Sequence, residues 1–333
     1  MSEIPEPICR REFDTAALVA EFPPRFYHPN KKIVYGISCP LDSVHSGRIT
    51  FSRWSALELP TEVPQNAIAI ESREDYFGYE PVPAGAARVE WYLNFSHYDL
   101  FCAYSGALFA QDEMQVTEHP ALGSLRESLL KSDLEPLTVK DGTPTPALVA
   151  GVERRCRVAI NPDASLGRPV GLYGNNFTRA KPDAIARATE PLVPPTITNV
   201  LAMEAPTGGS GRYARNEIEY ILRTAYTGFV ATRIESARLS ASPEVVIHTG
   251  YWGCGAYGGH RTLMALLQIL AARMAKLDRL VFHTGDAAGS ATFNNALTVA
   301  ERDLGLGTSP TPLAAVIDKL DAMAFRWGVG DGN

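Results

Sequence analysis

The chain has little of what marks several common classes of protein. Its five cysteines, Cys9, Cys39, Cys102, Cys156 and Cys254, are odd in number and widely spaced, with no Cys-x-x-Cys pair. That excludes a disulfide framework and a thiolate zinc site, and fits a reducing, cytoplasmic compartment. The seven histidines form no His-x-x-x-His pair, so no metal and no cofactor is expected. No apolar run reaches about 18 residues. The opening Met-Ser-Glu-Ile-Pro-Glu-Pro has no basic flank leading into an apolar core, so neither a membrane span nor a cleaved leader is expected. Positive charge is also short: 31 Lys and Arg against 37 Asp and Glu give a formal charge of −6, which argues against nucleic acid as a partner. There is no internal repeat and no low-complexity tract.

What is present is a 333-residue chain, 45% hydrophobic, long enough to bury a sizeable core. Its most informative stretch begins with the β-branched run Val245-Val246-Ile247-His248. It continues through Thr249-Gly250-Tyr251-Trp252-Gly253-Cys254-Gly255-Ala256-Tyr257-Gly258-Gly259. Leu263, Leu266, Leu267, Leu270, Met274 and Leu277 then recur at helical spacing. The pattern predicts strand, glycine-rich loop and helix. Glycines let backbone N–H groups converge on one point, and a helix N-terminus behind them favours an anion. The bland alternative is a tight turn that binds nothing. Five glycines in the ten residues from Gly250, interleaved with Tyr251, Trp252 and Tyr257, favour a diphosphate cradle for a nucleotide-like ligand.

Elsewhere, residues 1–85 are proline-rich, with strands predicted over 49–59 and 67–71, and read as an accessory region beside a main domain over 86–333. Arg88 to Ser96 predicts a strand, and Gln111 to Gln115 the opening of a helix. Residues 131–150, with Pro136, Pro144 and Pro146, read as a surface excursion. Further strands are expected over 157–160, 198–205 and 279–283. One amphipathic helix is expected around Ile218 to Ala225, stopped by Gly228, and a last helix over 312–327. Strands alternating with helices predict an α/β sandwich with a mixed sheet.

Four acids, Asp99, Asp112, Glu113 and Glu118, fall within 25 residues. Such a cluster is usually a solvated face. Here Asp112 and Glu113 follow Ala107-Leu108-Phe109-Ala110 and precede Met114. Carboxylates crowded against apolar side chains repel, and one retains its proton to higher pH. Such a pair suits glycosidic-bond chemistry, in which a general acid or base works beside an oxocarbenium-like charge.

On these segments the sequence resembles the poly(ADP-ribose) glycohydrolase class of macrodomains. The resemblance rests on Thr249 to Gly259, Leu266 to Ala272, and Phe282-His283-Thr284-Gly285-Asp286. It also rests on Leu93-Asn94-Phe95-Ser96 in the place of Val-Asp-Phe-Ala, and on Gln111-Asp112-Glu113 in the place of Gln-Glu-Glu. It spans roughly residues 88 to 290 and implies a three-layer α/β/α macrodomain. It implies that Glu113 is the catalytic carboxylate, that Asp112 helps hold the distal ribose, and that Asn94, with Phe95 beside it, meets the adenine edge. Tyr173 would close over the ligand, and Thr249, Gly250, Tyr251, Gly253, Cys254, Gly255, Ala256, Tyr257 and Gly258 would surround the diphosphate. The implied partner is ADP-ribose or an ADP-ribosylated protein.

The departures are informative. Phe101-Cys102-Ala103 replaces three consecutive glycines of the family, which disfavours cleavage within poly(ADP-ribose) chains. Tyr251 replaces an asparagine, and Thr284 an aromatic residue. An arginine leaving group needs anionic anchors and an activated water, and Asp99, Asp112, Glu113 and Glu118 suit it. This resembles a divergent group of macrodomain hydrolases that remove mono-ADP-ribose from arginine. The competing readings are a binding module that recognises ADP-ribose without cleaving it, and an oxidoreductase using Gly253-x-Gly255-x-x-Gly258 as a dinucleotide fingerprint. The second has too little chain after Asp286 to complete its fold.

Overall fold

Strand-forming segments supply one eight-stranded mixed sheet in the computed structural model, which describes residues 4–65, 67–83, 85–306 and 309–331. In chain order the strands are β1 (Cys9–Asp14), β2 (Arg48–Arg53), β3 (Ala69–Arg73), β4 (Arg88–Ser96), β5 (Ala147–Val158), β6 (Thr189–Glu204), β7 (Glu244–Thr249) and β8 (Arg279–His283). Their order across the sheet is β1-β2-β5-β6-β4-β7-β8-β3. β6, β4, β7, β8 and β3 run parallel, while β1, β2 and β5 are antiparallel additions. Parallel register puts the C-terminal ends of β6, β4, β7 and β8 along one edge. In open α/β sheets that edge is where ligands bind.

Alternation along the strands gives the sheet two apolar faces. Leu201 and Met203 of β6, with Trp91 and Leu93 of β4 and Ile247 of β7, belong to one core with the helices Arg215–Leu239, Arg261–Met274, Ala287–Thr298 and Leu313–Ala322. Val200 and Ala202 belong to the opposite core, with Phe51, Val149 and the helices Thr15–Glu21 and Ala121–Leu129. The result is the α/β/α sandwich with a mixed sheet that the sequence predicts.

Three expectations change. Residues 1–85 supply β1, β2 and β3 of the same sheet, so the accessory layer is continuous with the main one. The stretch 131–150 is an excursion only in part, because Ala147 to Ala150 are buried at the start of β5. Gly228 does not end its helix, which continues to Leu239. A Cβ at Gly228 would lie 2.4 Å from the Met203 sulfur, so this glycine lets the helix press onto β6.

Candidate active site

The acids are placed by the end of β4. Gln111 opens the helix Gln111–Glu118 and ties it to the strand: its Oε1 accepts from Phe95 N at 2.7 Å, and its Nε2 donates to Leu93 O at 2.9 Å. The next two residues, Asp112 and Glu113, are therefore held at the ligand edge of the sheet, 8% and 4% exposed. Glu113 Oε2 accepts from Ala110 N at 3.0 Å, fixing its carboxylate over the helix N-terminus. Asp112 Oδ1 accepts from Asn94 Nδ2 at 3.0 Å. Burial, and then the Glu113 charge, push the Asp112 carboxyl up to about 7.

A cation lies beside this pair that the sequence reading did not single out. Lys31, on the helix Pro29–Ser38, has no exposed surface, and its Nζ donates to Tyr104 O at 2.8 Å. Burial pulls its ammonium down to about 8, opposed by the charges of Glu113 and Asp112. It sits in a proline-rich segment far from the acids in sequence, so no local pattern marks it.

The other two acids do structural work. Both Asp99 oxygens are taken by Arg126, at 2.6 and 3.0 Å, and Arg126 also donates to Leu100 O. Glu118 pairs with Arg154 at 2.8 Å and accepts from Val158 N at 2.8 Å, fastening the helix to β5. Asn94, expected at the adenine edge, is wholly buried and turned to Asp112. The residue that replaces the first of the family's three glycines, Phe101, keeps a left-handed backbone (φ 59°) with its ring fully buried. Next to it, Cys102 Sγ is 3.4 Å from His97 Nδ1. Burial, followed by the charges of Asp99, Asp112 and Glu113, raises the Cys102 thiol to about 11.

The glycine loop lies where β7 ends. Gly253 (φ 74°) and Gly258 (φ 67°) adopt left-handed conformations, and Gly259 N closes the turn on Gly253 O at 2.8 Å. A Cβ at Gly253 would meet that of Ala205 at 2.4 Å, and one at Gly250 would meet His283 O at 2.8 Å. That hypothetical Gly250 Cβ would also stand 3.6 Å from the Phe95 ring, so loop and acid segment adjoin. Thr249 is wholly buried and bonds Gln268, which in turn donates to Gly250 O at 3.1 Å. The Thr249 hydroxyl thereby ties the start of the loop to the helix behind it. Trp252 is buried beneath the loop, with Nε1 donating to Met203 O at 3.0 Å. Burial raises the Cys254 thiol to about 12, so it stays protonated and acts as a small packing residue. Tyr251 OH donates to Gly289 O at 2.5 Å, and the Arg261 guanidinium sits 4.9 Å from its ring.

Two tyrosines link loop and acids. The Tyr257 phenol is pushed up by burial and then by the charges of Glu204, Asp112, Cys102 and Glu113. Tyr173 is 38% exposed, while its hydroxyl end meets the Gln111 N–H. Burial and then Asp331 and Glu113 raise it to about 12. The C-terminal segment crosses the loop as well: Gly328 N donates to Gly258 O at 2.7 Å, and Asp331 N to Gly255 O at 3.3 Å.

Among the described residues no group of three metal-ligating side chains occurs, and no helix is long and apolar enough to cross a membrane.

The family model described as poly(ADP-ribose) glycohydrolase, macro domain fold, matches residues 172–291, which include the glycine loop and Tyr173. Similar solved structures include poly(ADP-ribose) glycohydrolase from Thermomonospora curvata, at 16% identity, 85% of this chain, 98% of that chain and a TM-score of 0.41. The Deinococcus radiodurans enzyme in complex with ADP-ribose is 12% identical over 89% of this chain and 95% of its own, with a TM-score of 0.42. A macrodomain from Oceanobacillus iheyensis with MES bound is 8% identical over 76% and 99%, with a TM-score of 0.39. At that distance residue roles rest on this chain's own geometry. The matched segment, which carries the glycine loop with its flanking strand and helix, is thus similar to the macro domain fold of poly(ADP-ribose) glycohydrolase.

Proposed function

We propose that the chain removes single ADP-ribose units from protein side chains, with arginine as the linkage. The observation that carries this reading is the buried pair Asp112 and Glu113 set against the glycine loop, close enough for both charges to reach the Tyr257 phenol. A diphosphate seated on the loop backbone from Gly253 to Gly258 would send its distal ribose toward those acids. The Asp331 carboxylate lies beside Gly255, 3.2 Å from the position of a Cβ there, so an entering diphosphate would displace it.

In this scheme Asp112, braced by Asn94, holds the ribose hydroxyls, and the Glu113 carboxylate takes a proton from the attacking water. The oxygen of that water bonds to the ribose C1″ as the C1″–N bond breaks, and the electron pair leaves with a neutral guanidine, which takes up a proton from solvent. The Lys31 charge favours the ionised form of Asp112, against its burial. Asp99 acts indirectly, by anchoring the Tyr98 to Cys102 segment through Arg126. Phe101 and Cys102 occupy space that glycines would leave open, which favours a single unit over a polymer.

The test is release of ADP-ribose from arginine-, glutamate- and serine-linked substrates and from poly(ADP-ribose). Release from arginine is expected, and Glu113→Gln should lower it by about 10²-fold or more while ADP-ribose still binds. Tight ADP-ribose binding with no release from any substrate would replace this reading with a binding module.

A further inference from the structure

A cavity opens beside the loop. It has a volume of about 360 Å³, and its lining includes Glu204, Thr207, Gly208, Asn216, Glu217 and Tyr220. Two of its wall residues touch segments of the candidate active site. A Cβ at Gly208 would stand 3.6 Å from Tyr257 O, and Glu204, at the end of β6, accepts from Tyr98 N at 2.9 Å. Tyr98 belongs to the segment that Asp99 and Arg126 anchor next to the catalytic pair.

Glu204 is the unusual group. It is 6% exposed, and its second carboxylate oxygen meets no donor among the described residues. Among the described residues no ion pair reaches it, whereas Asp99, Glu118 and Glu153 each have an arginine. Burial raises it to about 7, with only the Tyr98 N–H opposing. Among the described residues no lysine or arginine lines the cavity. Glu217 contributes a second carboxylate, which also caps the helix Arg215–Leu239 by accepting from Ala214 N at 2.7 Å, so the positive end of that helix is already met. Tyr220 adds an aromatic surface.

We propose that this cavity receives the guanidinium of an arginine on the modified protein, bound by Glu204 and stacked on Tyr220. A buried carboxylate without a cation, a second carboxylate and an aromatic wall match a planar cation that hydrogen-bonds at its edge and stacks on its face. The assignment rests on the ADP-ribosylhydrolase reading and adds to it a recognition site for the acceptor, outside the catalytic pair.

The experiment is calorimetric titration of N-acetyl-arginine amide, with its neutral isostere N-acetyl-citrulline amide as control, into the full chain with and without saturating ADP-ribose. The arginine compound should bind, and citrulline should bind about tenfold or more weakly, since a charge-assisted hydrogen bond is lost. Glu204→Gln should weaken the arginine compound by a similar factor and leave ADP-ribose affinity unchanged, because the amide oxygen can still accept from Tyr98 N. Binding should also fall between pH 8 and pH 6, as Glu204 takes up a proton. Equal binding of arginine and citrulline by the unaltered protein, or equal arginine binding by Glu204→Gln, overturns the proposal. Absence of ADP-ribose binding would instead overturn the hydrolase reading, and the titrations without nucleotide would still decide the role of the cavity.

Discussion

Replacing Asp112 by asparagine should make the protein more stable and less active. In the fold the Asp112 carboxyl is raised from 3.8 to about 7, first by burial and then by Glu113. Unfolded, it titrates near its ordinary value. Between those two values the folded state binds more protons than the unfolded state, so stability falls as pH rises through that window and stays low above it. About three pKa units at 1.36 kcal/mol each give an upper bound of about 4 kcal/mol at pH 8. At pH 5, well below the folded-state value, less than half of that penalty is left. Asparagine carries no charge to bury and can still accept from Asn94 Nδ2. Urea unfolding of both proteins at pH 8 and pH 5 measures the difference. The expected outcome is a stabilised variant whose advantage shrinks by more than half at the lower pH, together with loss of ADP-ribosyl-arginine hydrolysis. A variant less stable at pH 8, or equally stabilised at both pH values, would refute the claim that a buried, strained charge is kept there for chemistry.

The remaining predictions concern the loop, the glycine replacement and the buried cation. Gly253→Ala places a Cβ 2.4 Å from that of Ala205 at a left-handed position; thermal melting should show a loss exceeding the roughly 1–2 kcal/mol backbone term alone, and calorimetry about tenfold weaker ADP-ribose binding. Phe101→Gly relieves backbone strain of about 1–2 kcal/mol but empties a fully buried ring site that costs about 3–5 kcal/mol, so a net loss of about 1–4 kcal/mol should appear in urea unfolding; a stabilised variant would contradict this balance. Lys31→Met removes the cation that favours ionised Asp112, so the acidic limb of the pH–rate profile should move to higher pH, and an unmoved limb would show that Lys31 does not act on Asp112.

Features fixed by local chemistry were legible in the sequence, and features fixed by distant contacts were not. The glycine loop and the helix behind it follow from left-handed glycines and a 3.6-residue apolar period, and both lie where the pattern puts them. The limits of β4 and β8 agree with the predicted Arg88 to Ser96 and Arg279 to His283. Gly228 was misread because local rules treat a glycine as a stop, whereas here it admits Met203 across the helix–sheet interface. Lys31 and Arg126 were invisible because only the fold brings a lysine from near the N-terminus to Glu113, and a helical arginine to Asp99. The apolar flanks set Asp112 and Glu113 apart in the sequence, but nothing local marks Asp99 and Glu118 as ion-paired anchors, because their arginines lie 27 and 36 residues away. Glu204 had no signal at all, since its character comes from a cavity and from the cation it lacks.

The most direct test of the account is a crystal structure of Glu113→Gln with ADP-ribose bound. The diphosphate should be held by backbone N–H groups between Gly253 and Gly258, with Asp331 drawn away from Gly255 and the distal ribose within hydrogen-bond reach of Asp112. A nucleotide bound elsewhere, or with its distal ribose directed away from Asp112 and Gln at position 113, would contradict it.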